Sequence, residues 1–416
     1  MSIVADGLLG RRLDRLRGAT PAPAVLPVGG RHAPTLAHAL GGVADGAVAV
    51  FESRHDVPLD RAALARLPVA VDPSRPLVCL DLETTGLATG PGTLAFLVGL
   101  GLWEGDSLLV RQLLLPDHAD EPAQLSMLAA LVPPDAALVT YNGRCFDWPL
   151  IVSRFRLHRR DPPAHAAHHD LLPVARQLWR ARLGDARLAT VERGVCGVVR
   201  EDDLPGALIP DRYFGYLRDR RPGPLRAVLE HNRQDIVTLG RLLAVLGRLV
   251  TNRQGWAQEH PSDLGGLGRA LARHGQPDEG LAAIEAGLSS PAWQRGIEGG
   301  GPLWRRLATD RARLLGRLGR RDDAIAAWLD IARRGGPGAA WAWIVVARHR
   351  EWLERDYGGA IDASNQALAA AERARLWGRP VPSVERDLAG RLPRLRRRVA
   401  WASLRVSPAV VPRRAA

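Results

Sequence analysis

The stretch LVCLDLETTGL, residues 77–87, places two acidic residues in an otherwise apolar segment rich in β-forming residues. Side chains on a strand alternate between two faces, so Asp81 and Glu83 share one face while Leu80 and Leu82 share the other. Buried carboxylates are unfavourable without a compensating charge, and a divalent cation such as Mg²⁺ or Mn²⁺ prefers oxygen ligands. The alternative, an acid pair on an exposed edge strand, fits the apolar neighbours poorly. The stretch therefore predicts a buried strand that carries part of a metal site.

Two later segments carry the acids that would complete such a site. LVTYNGRCFDWP, residues 138–149, leads from a predicted strand into a predicted helix and contains Asp147. EHNRQDIVTL, residues 230–239, places His231 and Asp235 four residues apart, which puts both on one face of a helix. That face adjoins the apolar stripe of the helix, so Asp235 is expected to face the protein. The alternative is a salt bridge within the helix.

The three motifs, in this order, resemble those of the DEDD superfamily, the DnaQ-like 3′–5′ exonucleases with a ribonuclease H fold. More narrowly, residues 44–247 resemble the YprB-type ribonuclease-H-like proteins, which carry tetratricopeptide repeats after the nuclease domain. The segments GPGTLAFLVGLG and HDLLPVARQLWRARLG also fit that type. The resemblance implies an α/β ribonuclease-H-like domain followed by an all-α tetratricopeptide-like repeat domain.

The resemblance also implies a chemistry and the residues that perform it. Two divalent ions, Mg²⁺ or Mn²⁺, would be held by Asp81, Glu83, Asp147 and Asp235. The superfamily places either a histidine five residues before the last aspartate or a tyrosine four residues before it. Here His231 stands four residues before, and we expect it to act as the base or to orient the attacking water. The alternative for His231 is an ordinary surface histidine.

Other residues near the motifs have weaker signals. Asn142 either orients the substrate or shapes the turn, and ATGPGT (residues 88–93) either approaches a phosphate or forms a glycine turn between strands. Three histidines precede Asp170, and an N-cap role for Asp170 is favoured over a metal site there. Secondary candidates for contacting the substrate are Thr84, Asn142 and Phe146.

Residues 76–250 have the pattern of an α/β domain. A hairpin is followed by a helix, a strand and further helices, which indicates a mixed five-stranded sheet with helices on both faces. Residues 224–250 are predicted as one long amphipathic helix. The preceding residues, 1–75, are predicted as a lead-in with a helix around 6–17, a loop, and a strand or hairpin that packs on the nuclease domain.

The second half of the chain contains an internal repeat. After a predicted linker at 251–268, three helix–turn–helix copies follow at spacings of about 44 and 36 residues, close to the tetratricopeptide period. Gly275 and Gly319 occupy equivalent turns. The repeats are predicted to span 269–400, ahead of a basic tail at 401–416. Nine of the twelve tryptophans lie between Trp256 and Trp401, and repeat core is favoured over a ligand-stacking surface.

The charge balance is strongly basic. Arginine supplies all 57 basic side chains against 44 acidic ones, giving a net charge of +13. Such a surplus fits a polyanion partner such as nucleic acid, although an arginine-rich genome composition would give the same balance. Residues 381–416 carry nine arginines and two acids, and either hold a nucleic-acid backbone or form a solvated helix end.

Composition excludes several classes of protein. The content of 46% apolar residues argues against global disorder. No run of eighteen apolar residues predicts a membrane span, the first residues lack a signal-peptide pattern, and we expect a cytoplasmic protein. The cysteines Cys79, Cys145 and Cys196 are far apart and form no CxxC pair, so neither a disulfide framework nor a zinc site is expected.

The function that the sequence predicts is a metal-dependent hydrolase of phosphodiester bonds. The most direct interpretation is a 3′–5′ exonuclease acting on single-stranded ends of DNA or RNA, with repeats that position the substrate or a protein partner. Two alternatives stay open. One is a structure-selective endonuclease that uses the same metals, and the other is a repeat scaffold or nucleic-acid-binding protein with a weak or vestigial nuclease domain.

Overall fold

A computed structural model describes residues 32–86, 92–201, 204–291, 293 and 301–406. These residues form an α/β domain followed by an all-helical region. The helix predicted around residues 6–17, most of the 88–93 turn and the end of the basic tail lie outside the described residues. Among the helices of the described ranges, none combines the length and apolarity required to cross a membrane.

Seven strands of the described chain form one mixed sheet in the order β1-β2-β5-β4-β3-β6-β7. The central strand β3 pairs antiparallel with β4 and parallel with β6, and β6 pairs parallel with β7. The strands are β1 (Val43–Asp45), β2 (Val48–Asp56), β3 (Leu77–Thr84), β4 (Ala95–Glu104), β5 (Ser107–Leu114), β6 (Ala137–Thr140) and β7 (Ala167–Asp170).

The sheet is wider than the five strands predicted for it. Strands β3 to β7 supply five within 76–250, and the lead-in adds β1 and β2, with β2 pairing along the length of β5. The prediction also missed β7, whose last two residues, His169 and Asp170, were assigned to the start of a helix. Its extended conformation depends on parallel pairing with β6, which residues 137–140 supply from a distant part of the chain.

Helices cover both faces of the sheet. Helices α3 and α4 pack on the face formed by Val78, Leu80 and Leu82, while α9 packs on the face that contains Cys79. Asp81 and Glu83 therefore point towards α9. The helices of this domain are α1 (Ala33–Leu40), α2 (Arg61–Leu64), α3 (Glu121–Leu131), α4 (Asp147–Leu157), α5 (Leu171–Leu178), α6 (Arg180–Leu183), α7 (Leu188–Val191), α8 (Ile209–Asp219) and α9 (Leu225–Thr251).

Two glycines on β4 allow α9 to lie close against the sheet. A Cβ added to Gly99 would lie 2.3 Å from Oδ1 of Asn232, and one added to Gly101 would lie 2.7 Å from Cγ2 of Ile236. Gly99 is also the antiparallel partner of Asp81 on the neighbouring strand. Because glycine has no side chain, these two positions allow the helix that carries Asn232 to approach the strand that carries Asp81.

Replacing Gly99 by alanine is expected to destabilise the protein by about 1–3 kcal/mol, because the new methyl group displaces Asn232 and α9. Gly316, in the helix Pro302–Arg317, is a matched control, because a Cβ there meets none of the described residues within 4 Å. Gly316→Ala is expected to leave stability unchanged or raise it by up to about 1 kcal/mol through helix propensity. Urea unfolding of both variants makes the comparison, and equal effects would contradict the close approach at Gly99.

The C-terminal region consists of consecutive antiparallel helices. In the first two helix pairs, a glycine with positive φ follows the first helix: Gly275 has a φ of 84° and Gly319 a φ of 76°. In the third pair, Arg355, with a φ of 56°, precedes the second helix. Gly268 and Gly280 let the first pair approach, because a Cβ on Gly280 would lie 2.5 Å from the Gly268 oxygen. The helices are α10 (Pro261–Arg273), α11 (Pro277–Leu288), α12 (Pro302–Arg317), α13 (Arg321–Arg334), α14 (Ala339–His349), α15 (Tyr357–Leu376) and α16 (Pro382–Val406).

The segment predicted as a linker, 251–268, is structured. It contains a 3₁₀ segment, Arg253–Gln258, and the first half of α10. Leu264 and Leu267 of α10 belong to the same buried cluster as Leu178 of α5. The α/β domain and the first helical pair therefore share one hydrophobic core.

The tryptophans of the helical region divide into two groups. Trp304 and Trp328 are buried in the core of the helical pairs, as the favoured interpretation predicts. A second group is exposed to solvent, and the guanidinium group of Arg348 lies over one of its rings. The exposed members are Trp341, Trp352, Trp377 and Trp401.

Candidate active site

The carboxylate of Asp81 lies in a buried hydrogen-bond network between β3 and α9. Asn232 donates from Nδ2 to Oδ2 of Asp81 over 2.9 Å, and its own Oδ1 accepts a hydrogen bond from Gln112 over 2.9 Å. Gln112 also donates to the Leu229 carbonyl over 2.8 Å. Both amides are almost fully buried, so their orientation is fixed and Asp81 is held in one position.

Asp147 reaches the same region from the other side of β3. It is the first residue of α4, is 6% exposed, and its carboxylate accepts a hydrogen bond from the backbone N–H of Leu82. Gly143 permits this position, because a Cβ there would lie 2.8 Å from Oδ2 of Asp147. The loop that leads to α4 thus brings the Asp147 carboxylate onto the backbone of β3 at Leu82.

Asp170 holds that loop in place. Its Oδ1 accepts hydrogen bonds from the N–H of Asn142 over 2.8 Å and from the N–H of Leu172 over 3.0 Å. The second bond is the predicted N-cap of α5. Asn142 has a positive φ of 68° and an exposed side chain, so it shapes the turn.

His231 and Asp235 lie one helical turn apart on α9, with 3.7 Å between Nε2 and Oδ2. Arg200 donates to the other Asp235 oxygen over 2.5 Å and to Glu192 over 2.5 Å. Glu192 is fully buried and also accepts a hydrogen bond from Thr238 over 2.5 Å. Asp235 is therefore the outer member of a buried ionic network.

Burial and neighbouring carboxylates raise the pKa values of Asp81 and Asp147. Burial raises the pKa of Asp81 well above its ordinary value, and the carboxylates of Asp235, Glu83 and Asp147 raise it further. Burial raises the pKa of Asp147 to about 7, with Asp170 and Asp235 adding to the effect. Burial also raises the pKa of Asp235, although His231 and Arg200 oppose this. The site therefore concentrates more negative charge than the surrounding protein compensates.

Oxygen-only donors of this kind fit a hard divalent cation. Among the described residues, no three His, Cys, Asp or Glu side chains are already arranged as a metal site. The donor chemistry and the mutual repulsion of the carboxylates nevertheless fit Mg²⁺ or Mn²⁺, because a cation would relieve that repulsion.

The remaining candidates lie around this region. The Thr84 hydroxyl donates to the Gly86 carbonyl over 2.7 Å, and Phe146 is half-buried immediately before α4. His168 bonds to Thr140 over 2.9 Å, and burial lowers its pKa to about 4. Cys79 is buried in the core as predicted. Substrate contacts by the secondary candidates stay a prediction.

Four residues of the network were not singled out from the sequence. Asn232 carried a usable signal, since it stands three residues before Asp235 and therefore near it on the helix. Gln112 interrupts the apolar run of β5, which marks a buried polar side chain that needs a partner. Glu192 begins a short π-helix and Arg200 lies in an irregular segment, and neither residue belongs to a recognisable sequence pattern.

Comparisons with known proteins identify the family. The sequence pattern of the family described as RNase_H superfamily matches residues 78–247. "Uncharacterized protein YprB" of Bacillus subtilis (strain 168) is 30% identical over 298 residues, which cover 71% of this chain and 70% of YprB. The chain belongs to the RNase_H superfamily. The matched segment of this RNase_H superfamily protein runs from β3 nearly to the end of α9, so it includes the four acids and His231.

Membership of the RNase_H superfamily supports a hydrolase that acts on nucleic acids. Nucleases with this fold generally use divalent metal ions, which agrees with the donor set described above. The resemblance inferred from the three motifs is thereby confirmed at the level of the RNase_H superfamily and of YprB.

The raised pKa of Asp147 predicts an unusual pH dependence for the metal-free protein. A folded-state pKa of about 7 against 3.8 means that the folded state retains a proton that the unfolded state releases. Stability should therefore fall as pH rises from about 4 to about 7, by up to about 4 kcal/mol. Urea unfolding in EDTA measures this slope. Asp147→Asn should flatten it, and an identical slope in that variant would contradict the prediction.

Proposed function

We propose that this protein is a metal-dependent 3′–5′ exonuclease that hydrolyses single-stranded nucleic acid. The observation that carries the proposal is the convergence of acids from three separate motifs. Strand β3, the start of α4 and the middle of α9 bring them close enough to raise the pKa of Asp81. The proposed ligands of two divalent ions are Asp81, Glu83, Asp147 and Asp235.

The protein's own residues account for the positioning that the reaction needs. Bound divalent ions would activate water and stabilise charge at the phosphate and the leaving oxygen. Asn232 fixes the Asp81 carboxylate, and the Leu82 N–H fixes that of Asp147. His231, which lies beside Asp235, would accept the proton of the attacking water. Arg200 keeps the second oxygen of Asp235 oriented.

A gel assay with 5′-labelled single-stranded DNA and RNA tests the proposal directly. The protein is incubated with each strand in Mg²⁺, Mn²⁺ or EDTA. We expect a ladder of products shortened from the 3′ end in the presence of metal and no products in EDTA. A strand with a blocked 3′ end is the matched control and should remain intact.

Other products would point to the alternatives. A single internal cut that persists when the 3′ end is blocked would indicate a structure-selective endonuclease at the same site. The absence of products from either strand with either metal would contradict hydrolysis. It would favour a scaffold or nucleic-acid-binding protein with a vestigial nuclease domain.

A further inference from the structure

A groove at the junction of the α/β domain and the helical region is strongly basic. Its cavity volume is about 570 Å³, and helices α5 and α6 line one side while α10 and α12 line the other. Among the described residues that line it, none is an aspartate or a glutamate. We call it the basic groove, and its five arginines are Arg176, Arg180, Arg269, Arg273 and Arg306.

Most arginines of the basic groove form no ion pair with the described residues of the chain. Arg269 pairs with Asp310 over 2.8 Å. In the part of the chain that the structure describes, Arg176, Arg180 and Arg306 have no carboxylate at ion-pair distance. Burial lowers the pKa of Arg269, and two neighbouring guanidinium groups lower it further. The basic groove therefore carries a surplus of positive charge that a bound polyanion would neutralise.

The walls of the basic groove are held together by close packing. A Cβ added to Gly266 on α10 would lie 2.6 Å from the Leu178 Cα at the end of α5. Gln177 donates to the Gly266 carbonyl over 3.4 Å, and Arg182 pairs with the buried Asp263 over 2.8 Å. The guanidinium groups from the two regions thus stand at a fixed separation.

The basic groove is also connected to the candidate active site. Helix α5 begins directly after Asp170, whose carboxylate bonds to the loop that leads to Asp147. Arg176 follows Asp170 by six residues, which is roughly 9 Å along the helix axis. A strand with its end at the four acids could therefore continue along α5 into the groove.

We infer that the basic groove binds the phosphate backbone of a nucleic-acid strand whose 3′ end lies at the four acids. Arginine suits this task because its planar guanidinium group donates two parallel hydrogen bonds to a phosphate. The direction of the strand rests on the proposed exonuclease function, whereas the binding itself rests on the charge of the groove. The groove contacts the backbone, so it is expected to bind without base preference.

Equilibrium binding in EDTA tests the inference without hydrolysis. Fluorescence anisotropy of a labelled oligothymidylate and a labelled oligouridylate is measured with the full chain. The variant Arg176→Gln/Arg306→Gln removes one exposed charge from each side of the groove. The control Arg321→Gln/Arg333→Gln removes two exposed charges from α13, outside the basic groove, so the net charge of the two proteins is the same.

The groove variant should bind on the order of tenfold more weakly than the wild type at moderate salt. The slope of log K against log salt should decrease by about 1.4, since each phosphate contact on a single strand contributes about 0.7. The control should retain wild-type affinity. Equal weakening in both variants would indicate diffuse attraction to arginine and would overturn the inference.

Two further outcomes keep this inference separate from the proposed function. Selective weakening in the groove variant, with no hydrolysis by the wild type, would support the groove and contradict the exonuclease. Hydrolysis together with unchanged binding in the groove variant would contradict the groove alone. Displacement of the oligonucleotide by polyglutamate at equal charge concentration would reassign the groove to acidic proteins. If the groove variant has a lowered melting temperature, a second groove variant, Arg180→Gln/Arg273→Gln, separates lost stability from lost contacts. The inference requires that this variant show the same loss of affinity.

Discussion

Replacing Asp81 by asparagine should reduce metal-dependent hydrolysis by about 10³-fold or more. A carboxylate ligand would be lost, and metal stabilisation of the transition state contributes several kcal/mol, with each 1.36 kcal/mol equal to a factor of ten. The shape of the side chain is retained, and its oxygen can still accept the hydrogen bond from Asn232. Initial rates on a labelled single strand, measured beside an unfolding curve, separate lost chemistry from lost structure.

The same substitution should make the metal-free protein more stable, because it removes a buried carboxylate that three neighbouring acids repel. Asp170→Asn is the matched control. It removes a nearby negative charge, while asparagine still caps α5 and accepts the Asn142 hydrogen bond. We expect it to change the rate by less than about tenfold. Equal losses from the two variants would mean that Asp81 acts only through the charge of the region.

Replacing Arg200 by methionine should destabilise the protein by about 3–5 kcal/mol, because Glu192 and Asp235 would lose their shared partner while staying buried. Arg54→Met is a control with the same 2.5 Å ion-pair distance, to Glu104, but with both side chains more than half exposed. That change should cost at most about 1 kcal/mol. Urea unfolding compares the two.

A second measurement tests whether the loss at Arg200 comes from the unpaired acids. In the double variant Arg200→Met/Glu192→Gln, one of the stranded charges is gone, so part of the lost stability should return. The contrary result is additivity. If Glu192→Gln lowers the free energy of unfolding of the Arg200→Met variant by as much as it lowers that of the wild type, the two side chains act independently.

The parts of the fold that were predicted correctly are those with a strong local pattern. The apolar run around Asp81 identifies β3, because the alternation of side chains and the apolar flanking residues can be recognised within eight residues of sequence. The long stripe identifies α9, which begins at Leu225 and ends at Thr251, one residue from each predicted end. The order of the three motifs then pointed to a ribonuclease-H-like protein similar to YprB, which the comparisons confirm.

What the sequence did not reveal depends on contacts between distant segments. Strand β7 is four residues long and contains two histidines, so only its pairing with β6 makes it a strand. Gln112 and Asn232 are 120 residues apart, and Arg200 stands 35 residues before Asp235 in an irregular segment. The close packing of α9 on the sheet depends on Gly99 and Gly101 of β4. Their role can be recognised only when the position of the helix is known.

Because α5 and α10 share one hydrophobic core, the segment that matches the family pattern is shorter than the segment that folds as one unit. The family pattern ends at residue 247. Leu264 and Leu267 lie after that residue, yet they belong to the same buried cluster as Leu178, which lies within the matched segment. A protein shortened to the family boundary would leave this apolar surface in water and would be expected to aggregate or fold poorly. The smallest autonomous form should therefore continue at least to the end of α11, at Leu288.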